Sequence, residues 1–151
     1  GSRRRRSSGG LGAGSGGRGL GREQTPLPTE PLEVDPAHAR ERIEALARRA
    51  MQASAATEGK SMYARIWWYA AQSGFDPFAA KGADWSLFDA AFRDVMSRYP
   101  DDWNRNNYAS FACQSGHAER ARELMFGHEP LPQAWDSQEQ FEACIPPTLD
   151  A

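Results

Sequence analysis

Cys113, His117, His128 and Cys144 are the side chains of this sequence best suited to chemistry. Together they could ligate zinc, but no pair has tight Cys-x-x-Cys spacing, and Gly116 interrupts the helix between Cys113 and His117. A Cys113 thiolate activated by His117 or His128 would be a nucleophile. Cys113 instead falls inside an apolar stripe, where a thiol stays neutral and inert. No glycine-rich phosphate loop precedes a strand. The expectation is a non-enzymatic protein with no catalytic set, no metal and no cofactor. Two states fit the cysteines. One is a disulfide pinning the C-terminal segment to a helix, which would close a loop of about thirty residues and stabilise by roughly 3–4 kcal/mol. The other is a pair of buried thiols. A disulfide would imply an oxidising compartment such as a bacterial periplasm; otherwise periplasm and cytoplasm both stay open.

The aromatic residues offer binding rather than reaction. All sixteen lie from Tyr63 onward, and nine fall between Tyr63 and Phe92. Adjacent residues on a helix point about 100° apart, so Trp67 and Trp68 cannot both face one core surface. Either one is inside and the other lines a groove, or a neighbouring helix covers both. Tyr63, Trp67, Trp68, Trp85, Arg65, Asn107 and Tyr108 are the candidate partner-binding residues. Arg65, Arg93 and Arg98 could rim the groove and grip carboxylates, or pair with Asp89 and Asp94.

These side chains need helices to carry them. Asp35 and Pro36 make an N-cap and first position for a helix with Ala39, Ile43, Leu46, Ala50 and Ala53 as its stripe, ending by Gly59. Residues 61–73 are apolar nearly all round, the mark of a central helix, and Gly74 caps them. Residues 75–82 read as a loop with Pro77 and Gly82. Asp84 caps a third helix to Arg98, with Trp85, Phe88, Ala91, Phe92, Val95 and Met96 in phase; Pro100 stops it. A fourth helix spans 103–115, a fifth 118–126, and a short one 137–143. Trp135 and Phe141 can fold back as a cap. No strand pattern of useful length occurs. The fold class is all-α, with about five principal helices in antiparallel hairpins.

Charge divides the chain. Residues 1–22 hold six arginines, nine of the fourteen glycines and no acid, whereas the remainder has 12 basic and 20 acidic residues. Such a basic, glycine-rich stretch buries too little apolar surface to offset its ordering entropy. The expected organisation is a disordered tail over 1–34 (proline-rich after residue 22), an all-α domain over 35–145 and a short tail over 146–151. An acidic folded part makes nucleic acid an unlikely partner. Arg3, Arg4, Arg5 and Arg6 could tether the chain to anionic lipid or nucleic acid, though so short a cluster binds weakly. Gly1-Ser2 has the look of a tag remnant, which leaves open a leader or membrane segment upstream.

Trp103 to Met125 carries a family resemblance. Ala109 is a small residue in the first helix, Gly116 makes a turn seven residues later, Ala121 is small five beyond, and Met125 is apolar four after that. This register resembles a tetratricopeptide repeat. Arg105 stands where a large aromatic is usual, Ala112 where tyrosine is common, and His117 where an acidic or amide cap is common. Residues 61–100 resemble an earlier, divergent hairpin with an insertion at 75–83. The phrase Asn-x-Tyr-Ala-x-Phe-Ala-Cys is similar to bacterial proteins with divergent helical hairpins. The resemblance implies a right-handed stack of hairpins and an adaptor or scaffold that holds a protein or peptide, here between the helices at 61–73 and 103–115. Two other readings stand beside it: a ligand-binding or enzymatic pocket among Trp67, Trp85, Tyr108 and His117, and a tether acting through the arginines.

Overall fold

A computed structural model describes residues 35–147. The expected tail over 1–34, with Arg3 to Arg6, lies outside them, as do residues 148–151. Among the described residues there are seven α-helices, one 3-10 turn and no strand, so the fold is all-α. The helices are α1 (Pro36–Ala53), α2 (Ala55–Glu58), α3 (Ser61–Gln72), α4 (Trp85–Arg98), α5 (Asp102–Gln114), α6 (Ala118–Met125) and α7 (Gln138–Cys144). The 3-10 turn is Pro132–Ala134.

The starts follow local chemistry. Asp35, Asp84 and Asp101 each accept a backbone N–H of the first turn they precede: Ala37 at 3.1 Å, Ser86 at 3.0 Å and Asn104 at 2.8 Å. The stops are equally local. At the end of α5, His117 N–H reaches Ala112 O at 2.8 Å and Gly116 N–H reaches Cys113 O at 3.1 Å. That double closure turns the chain through Gly116, whose φ is +85°. α6 then doubles back on α5. Ala109, Ala112 and Ala121 are fully buried between the two helices, with Met125 beside them.

Two expectations need correction. The stripe of α1 is turned from the one the spacing predicts. Leu46 is 46% exposed, while Ala47 is buried and Ile43 and Met51 pack on the core. The cause is polar. Glu44 faces α3 and accepts from Tyr63 OH at 2.6 Å and Trp67 Nε1 at 3.0 Å. Those bonds rotate α1 until Glu44 and Ala47 share the inner face. The most enclosed helix is α5, not α3. It buries Asn104, Asn106 and Asn107 along with Tyr108, Ala109 and Phe111, whereas α3 leaves Tyr69 69% exposed. The asparagines tolerate burial because their amides donate to backbone carbonyls: Asn104 to Tyr99, Asn106 to Asp102 and Asn107 to Trp103.

The main core joins α1, α3, α4 and α5 through Tyr63, Trp67, Phe88, Phe92, Tyr108 and Phe111. Phe92 stacks on Tyr108 at 4.8 Å, and Phe88 meets Phe111 edge-on at 5.2 Å. The loop between α3 and α4 adds Phe78, edge-on to Phe88 at 5.3 Å. That loop closes tightly at Gly82, where a Cβ would lie 2.1 Å from Pro77 O. A second cluster forms over the α5–α6 hairpin, where Trp135 meets Phe141 at 4.9 Å. Asn106 Oδ1 anchors this segment, accepting from Leu131 N at 2.9 Å and Trp135 Nε1 at 3.0 Å. Cys113 of α5 and Cys144 of α7 are joined as a disulfide, Cα atoms 5.9 Å apart across 31 positions.

Two stability measurements follow from these features. Nothing lies within 4 Å of a Cβ built on Gly116, so Gly116→Ala meets only the positive-φ penalty. Urea unfolding should show a loss of about 1–2 kcal/mol with an unchanged slope. Reduction of the disulfide, or Cys113→Ser with Cys144→Ser, should cost roughly 3–4 kcal/mol by the same measurement, because the unfolded chain regains the entropy of the open loop.

Candidate functional site

Three buried polar clusters fix the helices around the surface that follows. The first is Glu44 with Tyr63 and Trp67, extended by Arg48, whose Nε donates to Glu44 at 2.6 Å. The second centres on Asp89 of α4. Arg120 of α6 grips it with two bonds of 3.0 Å, Arg93 adds one of 3.1 Å, and Tyr108 OH donates to the same carboxylate. A two-pronged guanidinium contact is directional as well as strong, so α4, α5 and α6 are clasped in one orientation. The third is Asn106. Burial pushes the Tyr63 phenol up, and its bond to Glu44 adds to this. Burial and the bond to Asp89 do the same for Tyr108. Bonding to Asp89 also raises Arg120, keeping it cationic.

With the helices so held, a cleft of about 620 Å³ opens between α3 and α5. α3 contributes Trp68, Ala71 and Gln72; α5 contributes Trp103, Asn107, Ser110, Phe111 and Gln114. The cleft is completed by the loop at 74–77 and by residues 133–136. The α5 residues recur at four, three, one and three positions, a single stripe along the helix. A smaller cleft of about 230 Å³ continues it past Trp68, Gln72 and Trp103 to Arg65, Tyr69 and Asn104. The two share three residues, so they form one groove. Trp103 is 44% exposed at its centre and Tyr69 lies at its edge. Arg65 sits over the exposed ring of Tyr99 at 5.5 Å.

The candidate residues divide accordingly. Trp68, Asn107 and Arg65 line the groove or its continuation. Tyr63, Trp67 and Tyr108 do not; they are fully or almost fully buried, and each has its polar atom bonded inward. Trp85 is also elsewhere. Its ring stacks on His117 at 4.5 Å over a separate depression beside Glu119, Arg120 and Glu123. Trp67, Trp85, Tyr108 and His117 therefore line no common pocket. Arg93 pairs with Asp89, and Arg98 donates to Asp94 O and Thr57 O. Cys113 and Cys144, being joined, offer no thiolate. No group of three or more His, Cys, Asp or Glu side chains converges among the described residues. No helix among the described residues is long and apolar enough to cross a membrane.

Sequence reasoning missed Trp103, Gln72, Gln114 and Trp135. The signal for the α5 members was present. Trp103, Asn107, Ser110 and Gln114 make a polar–aromatic stripe opposite Ala109 and Ala112. Trp135 carried no such signal, because it arrives on an irregular segment. Comparison of the chain with family models, with curated proteins and with solved structures finds no match.

The tyrosine environments give a pH test. An unfolded tyrosine ionises near pH 10, while Tyr63 and Tyr108 hold their protons to higher pH in the folded state. Their contribution is fully present below about pH 10 and is lost as pH rises from there towards the folded values. Denaturant unfolding between about pH 9 and 11.5 should show stability falling, by up to about 1.4 kcal/mol per pH unit for each tyrosine. Tyr63→Phe with Tyr108→Phe should flatten that fall.

Proposed function

We propose that this chain is a non-enzymatic interaction module that holds a protein or peptide partner in the groove between α3 and α5. The observation that carries this reading is the exposed aromatic surface along a groove whose walls are rigid helices. Burying a large aromatic side chain stabilises by about 1.5–3 kcal/mol, yet Tyr69, Tyr99 and Trp103 stay open to solvent on and beside this one face. Most other rings of the domain are buried or half-buried. Rigid aromatic anchors with few rotatable bonds are the side chains that dominate protein interfaces. The amides of Gln72, Asn107 and Gln114 add hydrogen-bonding capacity for a partner's main chain.

The tetratricopeptide-like reading belongs to this proposal. Its support is the α5–α6 hairpin turned by Gly116 and clasped through Ala109 and Ala121, following the α3–α4 pair. In that reading α3 and α5 are the inner helices, and the stack is right-handed. The bond between Cys113 and Cys144 supports an oxidising compartment such as a periplasm.

The test is partner capture by the full chain and two variants. Trp103→Ala truncates a half-exposed ring in the groove and should weaken recovery of the partner about tenfold or more. Phe126→Ala, which removes an 85% exposed ring at the end of α6, should not. Equal recovery by both variants, with unchanged circular dichroism, would count against the groove.

A further inference from the structure

The polar chemistry of the groove points to the sign of what it holds. Asp76 and Asp136 are the charged side chains of the larger cleft. Neither forms an ion pair among the described residues, whereas Asp89, Glu44 and Asp102 each have an arginine. Two of the neutral side chains lean the same way. Asn107 is 8% exposed, and its amide nitrogen donates to Trp103 O at 2.9 Å. Its carboxamide oxygen meets no donor among the described residues. Gln114 directs its amide nitrogen to Ser110 Oγ at 3.2 Å, which again leaves an oxygen for a ligand. The larger cleft thus presents two carboxylates and at least two carboxamide oxygens together with the rings of Trp68 and Trp103, while Arg65 lies in its continuation.

We propose that the groove selects a partner segment bearing a basic side chain, arginine above lysine, which Asp76 and Asp136 receive among the tryptophan rings. This rests on the reading of the groove as a partner-binding site and adds the chemistry of the partner. A guanidinium has five N–H donors and no acceptor, so it complements a surface with surplus acceptors. It also stacks on indole faces and is more weakly hydrated than an ammonium, which favours it over lysine beside tryptophan. An acidic segment would face two unpaired carboxylates with no compensating cation in the larger cleft.

A display library of random dodecamer peptides, selected on the full chain, tests both levels. Affinities of the selected peptides are then measured by fluorescence anisotropy. The expected result is enrichment of arginine or lysine next to apolar residues. Asp76→Asn with Asp136→Asn should weaken those peptides about tenfold, as should replacing their arginine by citrulline. Raising salt from 50 to 500 mM should weaken the wild type and leave the double variant nearly unchanged. The double variant keeps its fold, because an asparagine oxygen at position 76 can still accept the Phe78 N–H that Asp76 accepts at 3.0 Å. Peptides without basic residues that lose binding on Trp103→Ala would overturn the charge preference while keeping the groove. A selection yielding no peptide sensitive to Trp103→Ala would overturn the groove reading itself. Self-association of the chain abolished by Trp103→Ala would overturn the proposal by making a second copy the occupant.

Discussion

Ala109, Ala112 and Ala121 are fully buried where α5 meets α6, and with nothing beyond Cβ they let the two helices approach closely. That approach decides the orientation of α5, and α5 decides the rest. With its alanine face against α6, Tyr108 turns towards α4, Asn106 turns towards the segment at 131–135, and Trp103, Asn107 and Gln114 turn towards α3. A helix of 13 residues has about three and a half turns, so four separate surfaces can be served only if none is displaced. Larger residues at the alanine positions would push α6 outward. Arg120 would then leave Asp89, and the Trp135 cluster would lose its floor.

Polar atoms inside the domain do orienting work that apolar packing alone leaves loose. Glu44, Asp89 and Asn106 each sit on one helix and accept from side chains or backbone of another element. A ring packed against other rings can slide at little cost, whereas a phenol or indole N–H tied to a carboxylate has one position. Removing one partner would leave the other buried and unsatisfied, which costs more than the bond itself contributes. The consequence for the groove is indirect but firm. Trp68 packs on Phe92 at 5.3 Å and on Phe111 at 6.3 Å, so the wall it forms inherits the rigidity of the clasp between α4, α5 and α6.

The helices were legible because their ends are local chemistry. Asp35, Asp84 and Gly116 mark boundaries by hydrogen bonds that span at most a few residues. What could not be read was the direction of each aromatic. A tyrosine bound for the core and one bound for a groove occupy the same helical spacing, and the difference lies in a partner far along the chain. Tyr63 finds Glu44 across 19 positions, and Tyr108 finds Asp89 across 19. The same long-range bond misled the reading of α1, where an ionisable residue faces inward and a leucine two positions on faces water. The α5 stripe was legible in principle, since asparagine, serine and glutamine on a helix that also carries buried alanines must go somewhere.

Trp68, Phe111 and Trp135 serve both the packing and the groove, whereas Trp103 stands apart from the packing, and that supports the reading of the groove proposed above. The core rings, the two clusters of carboxylate bonds and the disulfide account for the packing of the helices without Trp103. Its indole is nearly half open to water and belongs to neither buried cluster. A lone exposed ring on a protein surface is ordinary. Trp103 is not alone: Trp68, Tyr69 and Arg65 border the same groove, and the amides beside them have oxygens to offer. A surface that leaves apolar area and acceptors open together remains incompletely satisfied until something covers it. Water can satisfy the acceptors but not the rings, and a purely apolar partner the rings but not the acceptors. A segment that brings both apolar contact and N–H donors satisfies the whole face at once.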